Sequence, residues 1–459
     1  MLKVVSPFDL SVIAELELTA PLKLEEALTR LFQTYQDRSR WLSKADRIER
    51  LERLHQLMQA EQEDLARLAA REGGKPLVDS RLEVARALSG IKKAIQGLST
   101  LTGREISMDE NAASRGRIAY TYFEPRGVVL AISAFNHPLN LLVHQAIPAF
   151  ASGCPVLIKP SSSTPLTAIR FVELLRAADI GSGFVELALI TGEQAEALVQ
   201  DKRIAFLSFI GSAEVGFRLR SLLPPGAACT LEHGGIAPVL IDESADIARL
   251  VPLLVKGGFY HAGQVCVSVQ RVFAPRAVAE NLSEELAQAA QKLKVGDPLE
   301  EETLVGPLIR PSEVERVDHW VQEAHVGGGK VLCGGQRLSS TLYAPTVLYD
   351  PPESARVSHK EVFGPVVAVY PTLDMEEAVA RANLPDAYFQ AALFTNRLDR
   401  ALDLGRRLHG MNVLINDHTA FRVDWMPFGG HRQSGLGVGG IEPTMREMSI
   451  ERMLVFNTN

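Results

Sequence analysis

The stretch GVVLAISAFNHPLNLLVHQAIPAFASGCPVLI, residues 127–158, contains no Lys, Arg, Asp or Glu. It is long enough to span a bilayer, but Asn136, His137, Pro138 and several later polar residues interrupt it. A buried strand, a polar turn and a buried helix therefore explain this stretch better than a membrane span does.

Short apolar runs and helical segments alternate from this stretch onward. Buried strands are predicted over residues 128–132, 156–158, 185–190, 204–209 and 238–241. The helices between them are predicted to begin near residues 138, 165, 193 and 213. This alternation predicts a parallel α/β sheet with ligands at the carboxyl ends of its strands. A second α/β set follows from about residue 245 to 415.

Helices precede this sheet, and exposed strands flank it. The spacing of apolar residues predicts helices over 24–38, 45–72 and 80–97. Alternating residues over 115–124 predict an exposed ribbon, and the apolar residues 453–456 predict a C-terminal strand. Exposed strands with apolar faces are a liability unless they are paired.

The composition is that of a globular protein with a large core. Of the 459 residues, 46% are hydrophobic and 22% are charged, and the formal net charge is −7. No basic run favours nucleic acid. The four cysteines are far apart, without C-x-x-C or zinc spacing, so disulfides and metal are not expected and a cytoplasmic location fits. The first twenty residues lack a signal-peptide pattern.

One thiol and one carboxylate stand out as candidate reacting groups. Cys266 ends the segment YHAGQVC, residues 260–266, and Glu232 lies 34 positions upstream in LEHGG, residues 231–235. A thiol with a nearby carboxylate can form and then hydrolyse a thioester. Taken alone, the pair also admits proteases, thiolases and acyltransferases.

Two turns after predicted strands are candidate phosphate or ribose sites. Lys159 ends a strand, and Thr164 before Pro165 is predicted to be a helix N-cap. Gly211 and Ser212 open a helix whose N-terminus favours a pyrophosphate. Each turn, taken alone, is equally explained as an ordinary strand-to-helix connection.

Two further segments carry polar groups beside turns. Asn136 follows a strand, where its amide can donate to an oxyanion or form an Asx turn. Glu361 and Phe363 lie in a turn that is otherwise an ordinary loop, and the glycine-rich segment 427–435 can line a cavity mouth.

The histidines do not indicate a metal site. No pair among them has ligand spacing with a carboxylate partner, so satisfied polar roles are predicted for His144, His233, His261 and His418. No Gly-x-Ser-x-Gly elbow is present, which disfavours a serine hydrolase.

In this order, these segments resemble the aldehyde dehydrogenase superfamily. The resemblance covers nearly the whole chain, and its most specific part is the Glu-x-Gly-Gly and Gly-Gln-x-Cys pair. It implies a Rossmann-like parallel-sheet cofactor domain (1–112 and 126–232), a second α/β catalytic domain (233–439) and a small β oligomerisation arm (113–125 and 440–459). A homodimer or homotetramer is implied as well.

The resemblance also implies roles for the candidate residues. Cys266 would be the nucleophile, Asn136 would help to hold the oxyanion, and Glu232 would be the general base that activates water. The cofactor would be NAD or NADP. Its contacts would be Lys159, Ser162, Gly211, Ser212, Glu361 and Phe363.

Five positions depart from the family's common pattern. Many members have Glu where Ser162 stands, and a neutral serine does not repel a 2′-phosphate, so NADP tolerance is predicted. Ala134 and Phe135 replace a common Pro-Trp, Gln145 a frequent Lys, and His261 a common Asn. None of these changes removes a reacting group.

The substrate would be a small aldehyde, such as a hydroxyaldehyde like lactaldehyde or an anion-bearing semialdehyde. Arg422 and His144 are the candidate substrate contacts, and Arg422 can pair with a carboxylate, phosphate or sulfonate. The alternative is an Arg422–Asp424 pair at a surface or subunit interface. Two other functions stay open, a CoA-acylating dehydrogenase and a catalytically silent member. The presence of Glu232 argues against a CoA-acylating dehydrogenase. The presence of Cys266, Asn136 and Glu232 together argues against a catalytically silent member.

Overall fold

The structure, a computed structural model, describes residues 1–181 and 183–458. Its helices are α1 (Pro21–Gln36), α2 (Lys44–Ala60), α3 (Gln62–Gly73), α4 (Leu77–Thr100), α5 (Asn140–Ser152), α6 (Pro165–Ala177), α7 (Gly192–Val199), α8 (Ala213–Leu222), α9 (Ile247–Phe259), α10 (Arg276–Ala290), α11 (Pro311–Val326), α12 (Arg356–His359), α13 (Met375–Asn383), α14 (Leu398–Arg407) and α15 (Ile441–Glu447).

The strands form two large sheets and several short ones. They are β1 (Leu2–Val5), β2 (Val12–Leu16), β3 (Glu105–Ile106), β4 (Arg117–Pro125), β5 (Val128–Ile132), β6 (Val156–Lys159), β7 (Val185–Leu187), β8 (Ile204–Ile210), β9 (Ala228–Glu232), β10 (Pro238–Ile241), β11 (Arg271–Pro275), β12 (Lys330–Cys333), β13 (Thr346–Tyr349), β14 (Val366–Thr372), β15 (Ala387–Tyr388), β16 (Gln390–Phe394), β17 (Asn412–Ile415), β18 (His431–Arg432), β19 (Gly435–Leu436) and β20 (Ser449–Asn457).

The first sheet has the strand order β19-β9-β8-β5-β6-β7. Its strands are parallel except β19, which pairs antiparallel with β9 at the edge. All five residues of β5 are buried, because a parallel sheet is covered by helices on both faces. The strand, turn and helix predicted for residues 127–158 are confirmed as β5, the loop to α5, and α5. No helix in the described ranges is both long and apolar enough to cross a membrane.

The second sheet has the order β12-β13-β14-β11-β10-β16-β17 and is parallel except for β12. The predicted α/β class is therefore confirmed. The run 238–241 was expected to continue the first set of strands, but as β10 it lies in the middle of the second sheet. The sequence of a short buried strand does not indicate which sheet the strand joins. Residues 233–237 connect the first sheet to the second.

The third sheet is the exposed ribbon. β4 and β20 pair antiparallel along nine residues, from Arg117 opposite Asn457 to Pro125 opposite Ser449, and β3 pairs with the other side of β4. Every residue of β20 except Ser449 is exposed. The ribbon predicted over 115–124 and the predicted C-terminal strand are thus partners of each other.

Two predictions about the helices were wrong in detail. The helix predicted over 45–72 is two helices, α2 and α3, separated at Glu61, whose carboxylate binds Arg170 on α6. Thr164 precedes α6 but its side chain makes no cap hydrogen bond. Glu72, from α3, instead accepts hydrogen bonds from the backbone N–H groups of Leu166 (2.8 Å) and Thr167 (2.7 Å). The cap of α6 comes from a carboxylate that is distant in sequence, which local patterns do not reveal.

A buried ion pair fixes the start of α5. Glu83 on α4 is fully buried and pairs with the buried Lys75. Its Oε1 also accepts hydrogen bonds from the backbone N–H groups of Leu139 (2.8 Å) and Asn140 (2.9 Å). A carboxylate at a helix N-terminus complements the helix dipole. Glu83 therefore holds the loop that carries Asn136 against the first sheet.

Glu83→Gln is expected to lower the free energy of unfolding by about 3 kcal/mol or more, because Lys75 would keep a buried charge without its partner. Urea unfolding followed by circular dichroism measures the loss. The double variant Lys75→Met, Glu83→Gln removes both charges and should recover part of the stability. Equal stability of Glu83→Gln and the wild type would contradict this account of the pair.

Candidate active site

Glu232 is the last residue of β9, at the carboxyl edge of the first sheet. Its Oε1 lies against Gly439, where a Cβ atom would come within 2.3 Å of it. A side chain at residue 439 would therefore displace the carboxylate. Parallel sheets place ligands at this edge, so Glu232 stands where a reacting group is expected.

Cys266 lies in a strained loop between α9 and β11. α9 ends at Phe259, and three left-handed residues lie between it and Cys266: His261 (φ 48°), Ala262 (φ 53°) and Gly263 (φ 70°). A Cβ atom at Gly263 would approach the Gly364 carbonyl oxygen to 2.1 Å, so only glycine fits there. Strain of this kind persists where the surroundings over-determine the backbone.

The Gln264 side chain anchors that loop. Its Nε2 donates to the carbonyl oxygens of His261 (3.3 Å) and Pro307 (3.2 Å), and its Oε1 accepts from the Ile309 N–H (3.0 Å). The loop is thereby tied to the segment before α11, two residues from Cys266.

Asn136 joins this loop to the first sheet. Its Nδ2 donates to the Gln264 carbonyl oxygen at 3.0 Å, and the side chain is buried. A carboxamide nitrogen has two hydrogens, so one remains for another acceptor. The bond brings an amide donor from the β5–α5 loop next to the thiol of the second sheet's loop.

A cavity of about 430 Å³ collects most of the predicted site residues. Its lining includes Asn136, Gly211, Ser212, Glu232, Cys266, Glu361, Phe363 and Arg422. Lys159, Ser162 and His144 do not line it. Lys159 is mostly buried, with Nζ donating to the Pro160 carbonyl oxygen, and Ser162 is exposed one residue beyond the lining residue Ser161.

One end of this cavity has groups that suit a dinucleotide. Ser212 precedes α8 without capping it, so the first N–H groups of a ten-residue helix are free to bind a phosphate. Glu361 accepts a hydrogen bond from the Gly235 N–H at 3.2 Å through Oε1, while its Oε2 has no donor among residues 1–181 and 183–458. That oxygen is available to ribose hydroxyls.

The other end of the cavity opens toward a second one of about 400 Å³, with which it shares Arg86, Tyr260, Ala420 and Arg422. The Arg422 guanidinium carbon lies 3.5 Å from the centroid of the Phe428 ring. The sequence analysis did not single out Arg86 or Tyr260. Arg86 could have been found, because Asp79, Glu83 and Arg86 recur at helical spacing along α4.

Four side chains beside the passage between the cavities, Arg86, Asp424, His144 and Arg422, are joined by hydrogen bonds. His144 has the satisfied polar role predicted for it, since its Nε2 donates to Asp424 Oδ1 at 2.7 Å and its Nδ1 contacts Arg422. The alternative Arg422–Asp424 pair is wrong, because Asp424 pairs with Arg86 (3.0 Å) and Arg422 contacts His144 Nδ1 (3.3 Å).

The other histidines are less satisfied than predicted. Both ring nitrogens of the buried His261 lack a hydrogen-bond partner in the described chain, as do Nε2 of His233 and Nδ1 of His418. No group of three or more His, Cys, Asp or Glu residues within the described ranges is arranged to hold a metal ion.

The model of the aldehyde dehydrogenase family matches residues 1–453. The chain belongs to that family. Relatives include a 3-sulfolactaldehyde dehydrogenase of Priestia aryabhattai (35% identical, covering 94% of this chain and 88% of the relative). A lactaldehyde dehydrogenase of Methanocaldococcus jannaschii is 33% identical, covering 99% of this chain and 97% of the relative.

Solved aldehyde dehydrogenase structures superpose over the whole chain. Aldehyde dehydrogenase 21 of Physcomitrella patens, in complex with the reaction product succinate, has a TM-score of 0.96 at 31% identity and covers 100% of this chain and 95% of its own. Glyceraldehyde-3-phosphate dehydrogenase of Methanocaldococcus jannaschii, complexed with NADP, has a TM-score of 0.95 at 32% identity and covers 100% and 99%. The predicted enzyme class, an NAD(P)-dependent aldehyde dehydrogenase, is confirmed.

Burial, with like charge at Cys266, sets the protonation of three acidic groups in the cavity of this aldehyde dehydrogenase. Burial, followed by the charges of Glu232 and Glu361, raises the pKa of the Cys266 thiol to about 12. Burial also raises the pKa of Glu232, and it raises the pKa of Glu361 to about 8. Cys266 is therefore a thiol at neutral pH in the free protein, and attack requires loss of its proton.

Alkylation of Cys266 by iodoacetamide is expected to accelerate about tenfold per pH unit without a plateau by pH 10, because only the thiolate reacts. Glu232→Gln should speed the reaction at pH 8 by several-fold, since removing a negative charge lowers the thiol pKa. Peptide mass spectrometry at Cys266 measures both.

Glu313→Gln is the matched control, because Glu313 lines the same cavity but is not among the groups that shift the Cys266 pKa. Slower alkylation of Glu232→Gln than of the wild type would contradict the electrostatic argument and point to proton removal by Glu232.

Proposed function

We propose that this protein oxidises a small hydroxy- or anion-bearing aldehyde to its carboxylic acid with NAD(P), through a thioester on Cys266. The observation that carries the proposal is one cavity lined by Cys266, Asn136 and Glu232, with Glu361 and Ser212 also in its wall. The names of the relatives support it, because they denote enzymes of lactaldehyde and sulfolactaldehyde.

Cys266 is the nucleophile in this proposal. Its sulfur adds to the aldehyde carbon after losing its proton, and the carbonyl oxygen becomes an oxyanion. The second Nδ2 hydrogen of Asn136 and the Cys266 backbone N–H donate to that oxyanion, where a single donor typically contributes about 3 kcal/mol to transition-state stability. NAD(P)⁺, when bound, would supply the acceptor for the hydride that leaves the same carbon with its electron pair, which would leave a thioester on Cys266.

Glu232 is the general base for the second half of the reaction. It takes a proton from water, whose oxygen attacks the thioester carbon while the carbon–sulfur bond breaks. The products are the carboxylic acid and the free Cys266 thiol. A raised carboxyl pKa suits this role, because a base is most effective when its pKa is near the working pH.

The proposed cofactor contacts are Lys159, Ser162, Gly211, Ser212, Glu361 and Phe363. Ser162 is exposed and uncharged, so a 2′-phosphate at this position meets no repulsion. We propose that NADP is used as well as NAD. Glu361 Oε2 would accept from the ribose hydroxyls, and the N-terminus of α8 would hold the pyrophosphate.

The function is tested with a panel of aldehydes and both cofactors. Absorbance at 340 nm should rise with NADP⁺ at a kcat/KM at least comparable to that with NAD⁺, and free acid should form without CoA. Cys266→Ser should abolish the signal. A strong preference for NAD over NADP would contradict the proposal that the neutral Ser162 allows NADP to bind. A requirement for CoA would favour the acylating alternative, and no turnover with any aldehyde would favour a silent member.

Arg422 is the proposed contact for a negative group on the substrate. It lines both cavities, and no carboxylate lies within 4.0 Å of its guanidinium in the described chain. Burial lowers its pKa to about 10, so it stays protonated at neutral pH. A bidentate arginine–carboxylate or arginine–sulfonate pair fits such a free cation. His144 contacts Arg422 rather than the cavity, so its proposed role is to position that arginine.

Arg422→Gln is expected to raise KM for succinic semialdehyde about tenfold or more, while KM for butanal changes little, because only the former loses a charged partner. Steady-state kinetics on both substrates measure the difference. Arg432→Gln is the control, since Arg432 is exposed and pairs with Asp386. Equal effects of Arg422→Gln on both aldehydes would refute the contact.

Assembly, location and domain boundaries are also proposals. The apolar residues on the exposed strands β4 and β20 support a homodimer or homotetramer, which light scattering distinguishes. We propose a cytoplasmic enzyme with the cofactor domain at 1–112 and 126–232, the catalytic domain at 233–439 and the oligomerisation arm at 113–125 and 440–459.

A further inference from the structure

Asp424 forms an ion pair with Arg86, one of the two arginines at the passage to the active site. It is 2% exposed. Its Oδ1 accepts from Arg86 Nη2 (3.0 Å) and from His144 Nε2 (2.7 Å), and its Oδ2 lies 3.4 Å from Arg86 Nε. The positive charge of Arg86 is therefore matched inside the protein, and its donors point to Asp424.

His144 links this pair to Arg422 without adding a charge. A guanidinium only donates hydrogen bonds, so His144 Nδ1 must accept from Arg422 Nη2 and its proton must lie on Nε2. Burial lowers the pKa of His144 to about 4, so the ring is neutral at pH 7. The ring orients Arg422 through one nitrogen and is itself held by Asp424 through the other.

Arg422 is the cation of this group that has no ion-pair partner among the described residues. No carboxylate lies at ion-pair distance from it, and one face of its guanidinium is covered by Phe428. Among the four side chains, two arginines, one aspartate and a neutral histidine leave one excess positive charge. Because charges in a buried site are costly unless they are matched, this excess selects the charge of the ligand.

We infer that Asp424 makes the site selective for aldehydes with a single negative charge, a carboxylate or a sulfonate, over aldehydes with a dianionic phosphate. A monoanion on Arg422 leaves the passage neutral. A dianion leaves one negative charge unmatched in this buried site. The inference rests on the proposed function and specifies its substrate.

The test compares succinic semialdehyde with glyceraldehyde 3-phosphate at pH 8, where the phosphate is mostly dianionic because its second pKa is about 6. Each kcat/KM is divided by the value for butanal, so a general loss of activity cancels. The wild type should prefer the monoanion. Asp424→Asn keeps the shape, frees Arg86 and adds one positive charge, so the preference should fall by about tenfold or more.

A double variant and a control separate charge from structure. Arg86→Gln combined with Asp424→Asn restores the wild-type net charge and should restore the preference for the monoanion. The control is Asp417→Asn. The Asp417 carboxylate lies in the same loop, accepts a hydrogen bond from the His418 backbone N–H and pairs with neither arginine, so its removal should leave the preference unchanged.

Equilibrium binding provides a readout that needs no turnover. Titration calorimetry with butyrate and glycerol 3-phosphate should give the same order of preference and the same shift in Asp424→Asn. An unchanged preference in Asp424→Asn, or a double variant that stays like the single one, overturns the inference. Absence of turnover with every aldehyde overturns the proposed function instead, and the binding preference then decides the inference by itself.

Discussion

The hydrogen bond from Asn136 Nδ2 to the Gln264 carbonyl oxygen joins two halves of a site that neither sheet contains alone. The first sheet contributes Asn136 and Glu232, and the loop before β11 of the second contributes Cys266. Each partner of the bond is held in place by contacts outside the site. Asn136 precedes an α5 whose first N–H groups bind Glu83, and Gln264 is fixed by the segment 307–309.

The chemistry follows from the burial of several acids around one thiol. Glu232, Glu361 and Cys266 all have raised pKa values, because burial in the cavity disfavours their anions more than the nearby arginines favour them. The free enzyme therefore keeps its thiol protonated, which protects it from unproductive modification. A cation bound near Cys266, or a base that removes its proton, would favour the thiolate. The reactivity of Cys266 therefore depends on what is bound in the site.

Local sequence patterns predicted the parts of the structure that depend on neighbours in the chain. The strand 128–132 and the helix starts at Pro165 and Ala213 have the predicted bounds, and family motifs selected eight residues that line one cavity. Local patterns did not predict contacts whose second partner is far away along the chain. Asp424 is 338 residues from Arg86, and Glu72 is 94 residues from the helix start that it caps. No local pattern contains such pairs.

In the proposed mechanism, Cys266 carries an acyl group that only Glu232 can release by activating water. This is tested by denaturing mass spectrometry of Glu232→Gln, quenched after mixing with succinic semialdehyde and NADP⁺. We expect an acyl mass on the Cys266 peptide that persists for minutes and is absent in Cys266→Ser. Free acid formed by Glu232→Gln at the wild-type rate, with no adduct on Cys266, would contradict it.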